Sequence, residues 1–97
     1  MAKAYWISCY RKIKDPEKLI AYAQLAGPAI ESGGGKFLAR GVADLAYEQG
    51  IKERVTLIAF DSLEAAVATH NSPAYRAALA ALGDAAERDL RMVSGVD

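Results

Sequence analysis

Few side chains in this 97-residue chain are equipped for chemistry. His70 is the only histidine and Cys9 the only cysteine. Any acid–base step at an imidazole must therefore use His70. Its plainer role is at a helix end, where the dipole favours a protonated ring. One histidine excludes a histidine-rich metal site within a subunit, and no metal is expected. A Cys9–His70 pair is open in principle and needs geometry to support it; the plainer reading of Cys9 is a small buried hydrophobe. Arg40 carries more weight. It precedes Gly41 on a strand expected to be largely buried, and a buried guanidinium requires a carboxylate or an anionic ligand. An ion pair with Asp44 or Glu48 is the plainer reading, and an anchor for an anionic ligand group is the functional one. Arg54 has the same two readings, with simple exposure at a strand start favoured. Tyr22 is a candidate pocket hydroxyl, its plainer role being a core tyrosine bonded to backbone. Trp6 completes the set of ligand-binding candidates, which is Arg40, Tyr22, His70 and Trp6. The run Gly33-Gly34-Gly35 lacks the Lys-Ser/Thr of a phosphate loop and follows a helix, so it reads as a helix stop. No cofactor motif is present, and none is expected to be bound.

These residues need elements to hold them. Residues 4–11 (AYWISCYR) are aromatic and β-branched and read as a strand. Asp15-Pro16-Glu17 is an N-cap, a first-turn proline and a dipole-matched acid, so a helix should begin at residue 16. Leu19, Tyr22, Ala23, Ala26 and Ile30 form its apolar stripe. Pro28 should kink that helix without ending it. Residues 36–40 read as a second strand, continued over 43–48 past a bulge near Gly41. Residues 53–60 (ERVTLIAF) are the clearest strand. Asp61 and Glu64 fit a capping box for a helix from 63 to about 70. Ser72-Pro73 opens another over 73–82, stopped by Gly83. Residues 89–94 form a last strand.

The order is βαββαβ with a split second helix. It predicts an α+β, ferredoxin-like domain over residues 1–97: a four-stranded antiparallel sheet with its helices on one face. Such a sheet should alternate apolar and polar residues where one face is wet. Here it does not. Val55, Leu57 and Ala59 oppose Thr56, Ile58 and Phe60, and Tyr5, Ile7 and Cys9 oppose Ala4, Trp6, Ser8 and Tyr10. A chain this short has no spare element for the second face. A second copy of the sheet is the simplest cover, giving a homodimer through the open face.

Lys3-Ala4-Tyr5-Trp6-Ile7, Asp15-Pro16-Glu17, Tyr22, the segment GGKFLARG over 34–41, Arg54, Ser62-Leu63-Glu64-Ala65-Ala66 and Ser72-Pro73-Ala74-Tyr75 resemble the family called domain of unknown function 1330. The resemblance spans nearly the whole chain and implies a dimeric α/β barrel, in which two ferredoxin-like subunits pack sheet to sheet. It implies no particular reaction. His70-Asn71 stands where that family often has an aromatic residue before Ser-Pro, and Leu82-Gly83-Asp84 replaces an Arg-rich turn. The expected function is a homodimer that binds a small organic ligand, an anionic one among the options, between sheet and helices. A cofactor-independent monooxygenase- or isomerase-like enzyme is the first alternative, and a ligand-free interaction module the second.

Other classes are excluded by composition. Twelve basic and twelve acidic side chains give no net charge, and no basic stripe tracks a nucleic-acid backbone. No apolar run nears the roughly 20 residues that span a bilayer. A single cysteine and the absence of a leader-like start predict a soluble, cytoplasmic protein.

Overall fold

The computed structural model describes residues 2–96. Asp15 caps the first helix as its sequence requires, its carboxylate accepting from the Glu17 and Lys18 amides at 3.1 and 3.3 Å. The chain runs β1 (Ala4–Ile13), α1 (Pro16–Ser32), β2 (Lys36–Val42), β3 (Arg54–Phe60), α2 (Leu63–His70), α3 (Pro73–Leu82) and β4 (Ala86–Ser94). The strands lie in the order β2-β3-β1-β4, and every neighbouring pair is antiparallel. This is the ferredoxin-like arrangement. No helix among the described residues is long and apolar enough to cross a membrane.

Pro28 lies inside α1 and does not end it. The glycine run does. Gly34 has φ +93°, in the left-handed region open to glycine, and a side chain on Gly35 would meet Ile30 and the Phe60 ring within 2.5 and 2.7 Å. The stop therefore lets β2 leave close beside the core.

Five local expectations are corrected. Residues 43–48 are not strand: β2 ends at Val42, because its partner β3 begins only at Arg54, leaving the edge strand with nothing to pair. The register shift lies between Phe37 and Ala39 and not near Gly41. Ser62, not Asp61, caps α2, its Oγ accepting from the Ala65 amide at 3.1 Å. The last strand starts at Ala86, three residues earlier than expected, because β1 also runs on to Ile13 and pairs with it. Cys9 is exposed, since it belongs to the face of β1 turned away from the helices.

Antiparallel register assigns the faces. Trp6 pairs with Ile58 and Ala4 with Phe60, and these side chains point into the core. There Trp6, Ile58 and Phe60 pack against Tyr22, Ala26 and Ile30 of α1 and Tyr75, Ala78 and Leu82 of α3. Alanines at 26, 29 and 78 let the helices approach closely. Ile7 pairs with Leu57 and Tyr5 with Ala59 on the outer face, which no element among the described residues covers. Several large apolar side chains stand more than half exposed beyond its edge, among them Leu45 and Tyr47 in the long β2–β3 loop.

Candidate functional site

Between α1 and the helix-facing side of the sheet lies a cleft. It has a volume of about 420 Å³ counted to its open mouth. Leu19, Ala23, Ala26 and Gly27 of α1 form its roof, and Trp6, Phe37 and Ile58 its apolar floor. The sheet supplies a polar end through alternation. Arg40 pairs across the ladder with Thr56, and Thr56 with Ser8. One step along, Arg54 stands beside Val42 and Tyr10 beside Arg88. Residues two apart on a strand share a face, so these two rows lie next to each other under α1.

Arg88 is the pivot. Its Nη1 donates to the Tyr22 hydroxyl at 3.0 Å, and its guanidinium lies 5.0 Å from the Tyr22 ring centre and 5.6 Å from that of Tyr10. It is held by hydroxyl and aromatic face with no carboxylate. Tyr22 meets the Tyr75 hydroxyl at 2.7 Å. Burial first, and the neighbouring Tyr75 second, push the Tyr22 phenol above its ordinary value against the pull of Arg88. Burial likewise raises Tyr10. Both phenols keep their protons at neutral pH and serve as donors, not bases. Ser8 is 3% exposed, and its Oγ has no hydrogen-bond partner. Among the described residues, the three arginines of the cleft form no ion pair, and the lining contains no Asp or Glu.

The candidate residues divide. Trp6, Tyr22 and Arg40 all line the cleft. Trp6 is 1% exposed, stacked on Phe60 with ring centres 6.0 Å apart and edge-on to Tyr75 at 5.0 Å. Arg40 is exposed and not buried, because β2 is an edge strand. Its guanidinium lies 4.2 Å above the Phe37 ring, and neither Asp44 nor Glu48 pairs with it. His70 does not line the cleft. It ends α2 behind the core aromatics, 5.5 Å from Trp6 and 5.2 Å from Tyr75 between ring centres, with Nδ1 3.4 Å from the Asn71 side-chain oxygen. Tyr22 bonds to side chains and not to backbone. Arg88 and Ser8 escaped the sequence reading. Arg88 was legible as the one cation in the apolar phase Ala86, Leu90, Met92, had the strand been begun early enough. Ser8 carries no signal beyond being polar in the phase of Trp6 and Tyr10.

A second hollow of about 1130 Å³, counted to its open mouth as for the cleft, lies under the β2–β3 loop, lined by Leu45, Tyr47, Ile51 and the outward residues Cys9 and Val55. Its one guanidinium, Arg11, is paired with Asp89 on the same wall, so it lacks the carboxylate-free arginines of the cleft.

Solved structures share this fold. A protein of unknown function from Rhodopseudomonas palustris is 20% identical, with a TM-score of 0.74 over 99% of this chain and 84% of that one. A dimeric ferredoxin-like protein of unknown function from Thermobifida fusca is 19% identical, with a TM-score of 0.68 over 97% and 92%. A cofactor-independent oxygenase from Streptomyces nogalater is 10% identical, with a TM-score of 0.63 over 100% and 96%. At these identities the likeness is one of fold. No curated protein matches the sequence. The family model described as domain of unknown function (DUF1330) matches residues 3–96. That match takes in every strand, every helix and both walls of the cleft, and the chain belongs to this family.

Proposed function

We propose that this protein is a homodimer that binds a small organic molecule in the cleft beneath α1. One observation carries the binding reading: a solvent-open cleft joins an apolar floor of Trp6, Phe37 and Ile58 to an end lined with hydrogen-bond donors. That combination orients a small molecule by its polar group and desolvates the rest. Tyr22, Trp6 and Arg40 are its proposed contacts, with Arg88 and Ser8 added. His70 is set aside as a helix-end residue. The dimer is supported by the uncovered apolar face of β1 and β3 and by the dimeric neighbour of the same fold.

Native mass spectrometry tests both parts. The expected spectrum is a dimer that gains a discrete small mass when incubated with a metabolite extract. A single-chain mass sinks the dimer. A bare dimer in every extract, with no ligand-induced rise in melting temperature, sinks the cleft reading and leaves an interaction module. A second reading, oxygen-dependent turnover without a cofactor, is favoured by the fold of the Streptomyces nogalater oxygenase. Oxygen uptake on addition of the captured ligand would distinguish it from simple binding.

A further inference from the structure

We infer that the molecule held in this cleft is a carboxylate on a compact apolar body. This rests on the reading of the cleft as a ligand site. The first argument is a proton count. Tyr75 is fully buried; its hydroxyl lies 2.7 Å from that of Tyr22, and its other neighbour, Arg88, can only donate to it. A buried O–H needs an acceptor, so Tyr75 donates to Tyr22. Arg88, which can only donate, gives the Tyr22 oxygen a second hydrogen bond at 3.0 Å. Both acceptor positions of that oxygen are then filled, and the Tyr22 proton has no protein acceptor. Tyr22 lines the cleft, so the proton is available there. Ser8 adds a second unused hydroxyl, buried at 3% exposure on the same wall.

The second argument is charge. Arg40, Arg54 and Arg88 line the cleft with no acidic residue among its walls, although the whole chain balances twelve basic with twelve acidic side chains. The half-buried guanidiniums of Arg54 and Arg88, with no carboxylate beside them, select an anion. The arginines can only donate, and the Tyr22 and Ser8 hydroxyls have protons free to give, so a ligand with acceptor oxygens and negative charge fits this end.

The third argument is shape. The cleft is small, about 420 Å³ counted to its open mouth, which limits the ligand to a compact body. The roof is the middle of α1, not its N-terminus, so the backbone amides that usually hold a phosphoryl group are not presented. Trp6 and Phe37 on the floor suit a flat or aliphatic body.

The test pairs each acid with its neutral amide: benzoate with benzamide, phenylacetate with phenylacetamide, hexanoate with hexanamide. Inorganic phosphate serves as the tetrahedral control. Calorimetric titration of the intact protein reads affinity. The expected result is a preference of roughly tenfold or more for the acid in at least one pair. Ser8→Ala should weaken the acid about fivefold or more while leaving the amide unchanged. It should leave the melting temperature of the ligand-free protein equal or higher, because it removes a buried hydroxyl without a partner. Arg88→Lys, which keeps the charge and loses the fork, should weaken the same acid. Equal binding of acid and amide overturns the carboxylate and leaves the cleft reading standing. Phosphate that outcompetes every acid overturns it in favour of a phosphoryl ligand. Acid binding that Ser8→Ala and Arg88→Lys both leave untouched places the anion elsewhere and overturns it too. Binding of no member of any pair, together with a dimer free of adducts, overturns the cleft reading itself.

Discussion

Strand β4 places arginines on both faces of one sheet and treats them in opposite ways. Outward, Arg91 meets the Asp89 carboxylate two residues away at 2.9 and 3.1 Å, and Arg11 reaches the same group at 3.5 Å. The Arg91 hydrogen bonds, with Arg11 assisting, hold the Asp89 carboxyl below its ordinary value. Inward, one residue away, Arg88 meets no carboxylate and rests against two tyrosine rings. An exposed cation beside an acid is neutralised locally and contributes little. A half-buried cation on aromatic faces keeps its charge for something else. The difference teaches that strand phase, not residue type, separates a solvated ion pair from a candidate anchor.

The largest effects should come from breaking the inner face at its floor. Trp6→Ala removes a fully buried ring from between Phe60 and Tyr75 and should cost about 3–5 kcal/mol. That is a large share of the stability of a small domain. Urea unfolding at neutral pH reads it, and a loss below about 1 kcal/mol would show that the floor is not part of the core. The outer face should respond in a different currency. Leu57→Lys puts a charge at the centre of the uncovered apolar face, opposite Ile7. Analytical ultracentrifugation should show a single-chain species while circular dichroism keeps its helical signal. An intact dimer would move the contact surface elsewhere.

The contrast between faces was partly readable beforehand. Alternation along 55–60 and 4–10 sorts the residues onto two faces and shows apolar side chains on both, but which face the helices cover emerges only from the packing. Helix starts at Pro16 and Pro73 were legible because cap chemistry is local. What failed was what depends on partners. Arg40 reads as buried until the topology makes β2 an edge strand. Residues 43–48 read as strand until β3 proves too short to pair with them. Arg88 lay just outside the expected last strand, so its inward phase was invisible. The orphan state of Ser8 is a property of three-dimensional neighbours alone.

A smaller effect should follow from the tyrosine pair behind Arg88. Tyr22→Phe removes the hydroxyl partner of the buried Tyr75 hydroxyl, and a buried hydroxyl left unsatisfied costs about 1–3 kcal/mol. The same substitution changes the alkaline limb of stability. Burial raises the folded Tyr22 phenol above its ordinary 10.0, so its stabilisation is complete below that pH. As pH climbs past it, the unfolded chain ionises while the folded one does not, and stability falls. The urea midpoint of the parent protein should therefore drop between about pH 9 and pH 11, and more steeply than that of Tyr22→Phe. Parallel declines would mean that Tyr22 titrates alike in both states. Tyr10 shifts in the same direction, so the variant should keep part of the slope.

The smallest effect should come from the outer ion pair, and its smallness is what sharpens the contrast. Asp89→Asn keeps the shape of the side chain and removes the charge that Arg91 and Arg11 share. Both arginine side chains are well exposed, 76% and 62%, so water replaces the carboxylate at little cost. The melting temperature at moderate salt should stay within the error of the scan. Freed outer arginines should also leave benzoate affinity unchanged, because they face away from the cleft. Stronger acid binding in Asp89→Asn would mean that outer and inner cations act as one field, and strand phase would no longer separate them. An unchanged affinity, set beside the loss in Arg88→Lys, would locate anion selectivity on one side of a single strand.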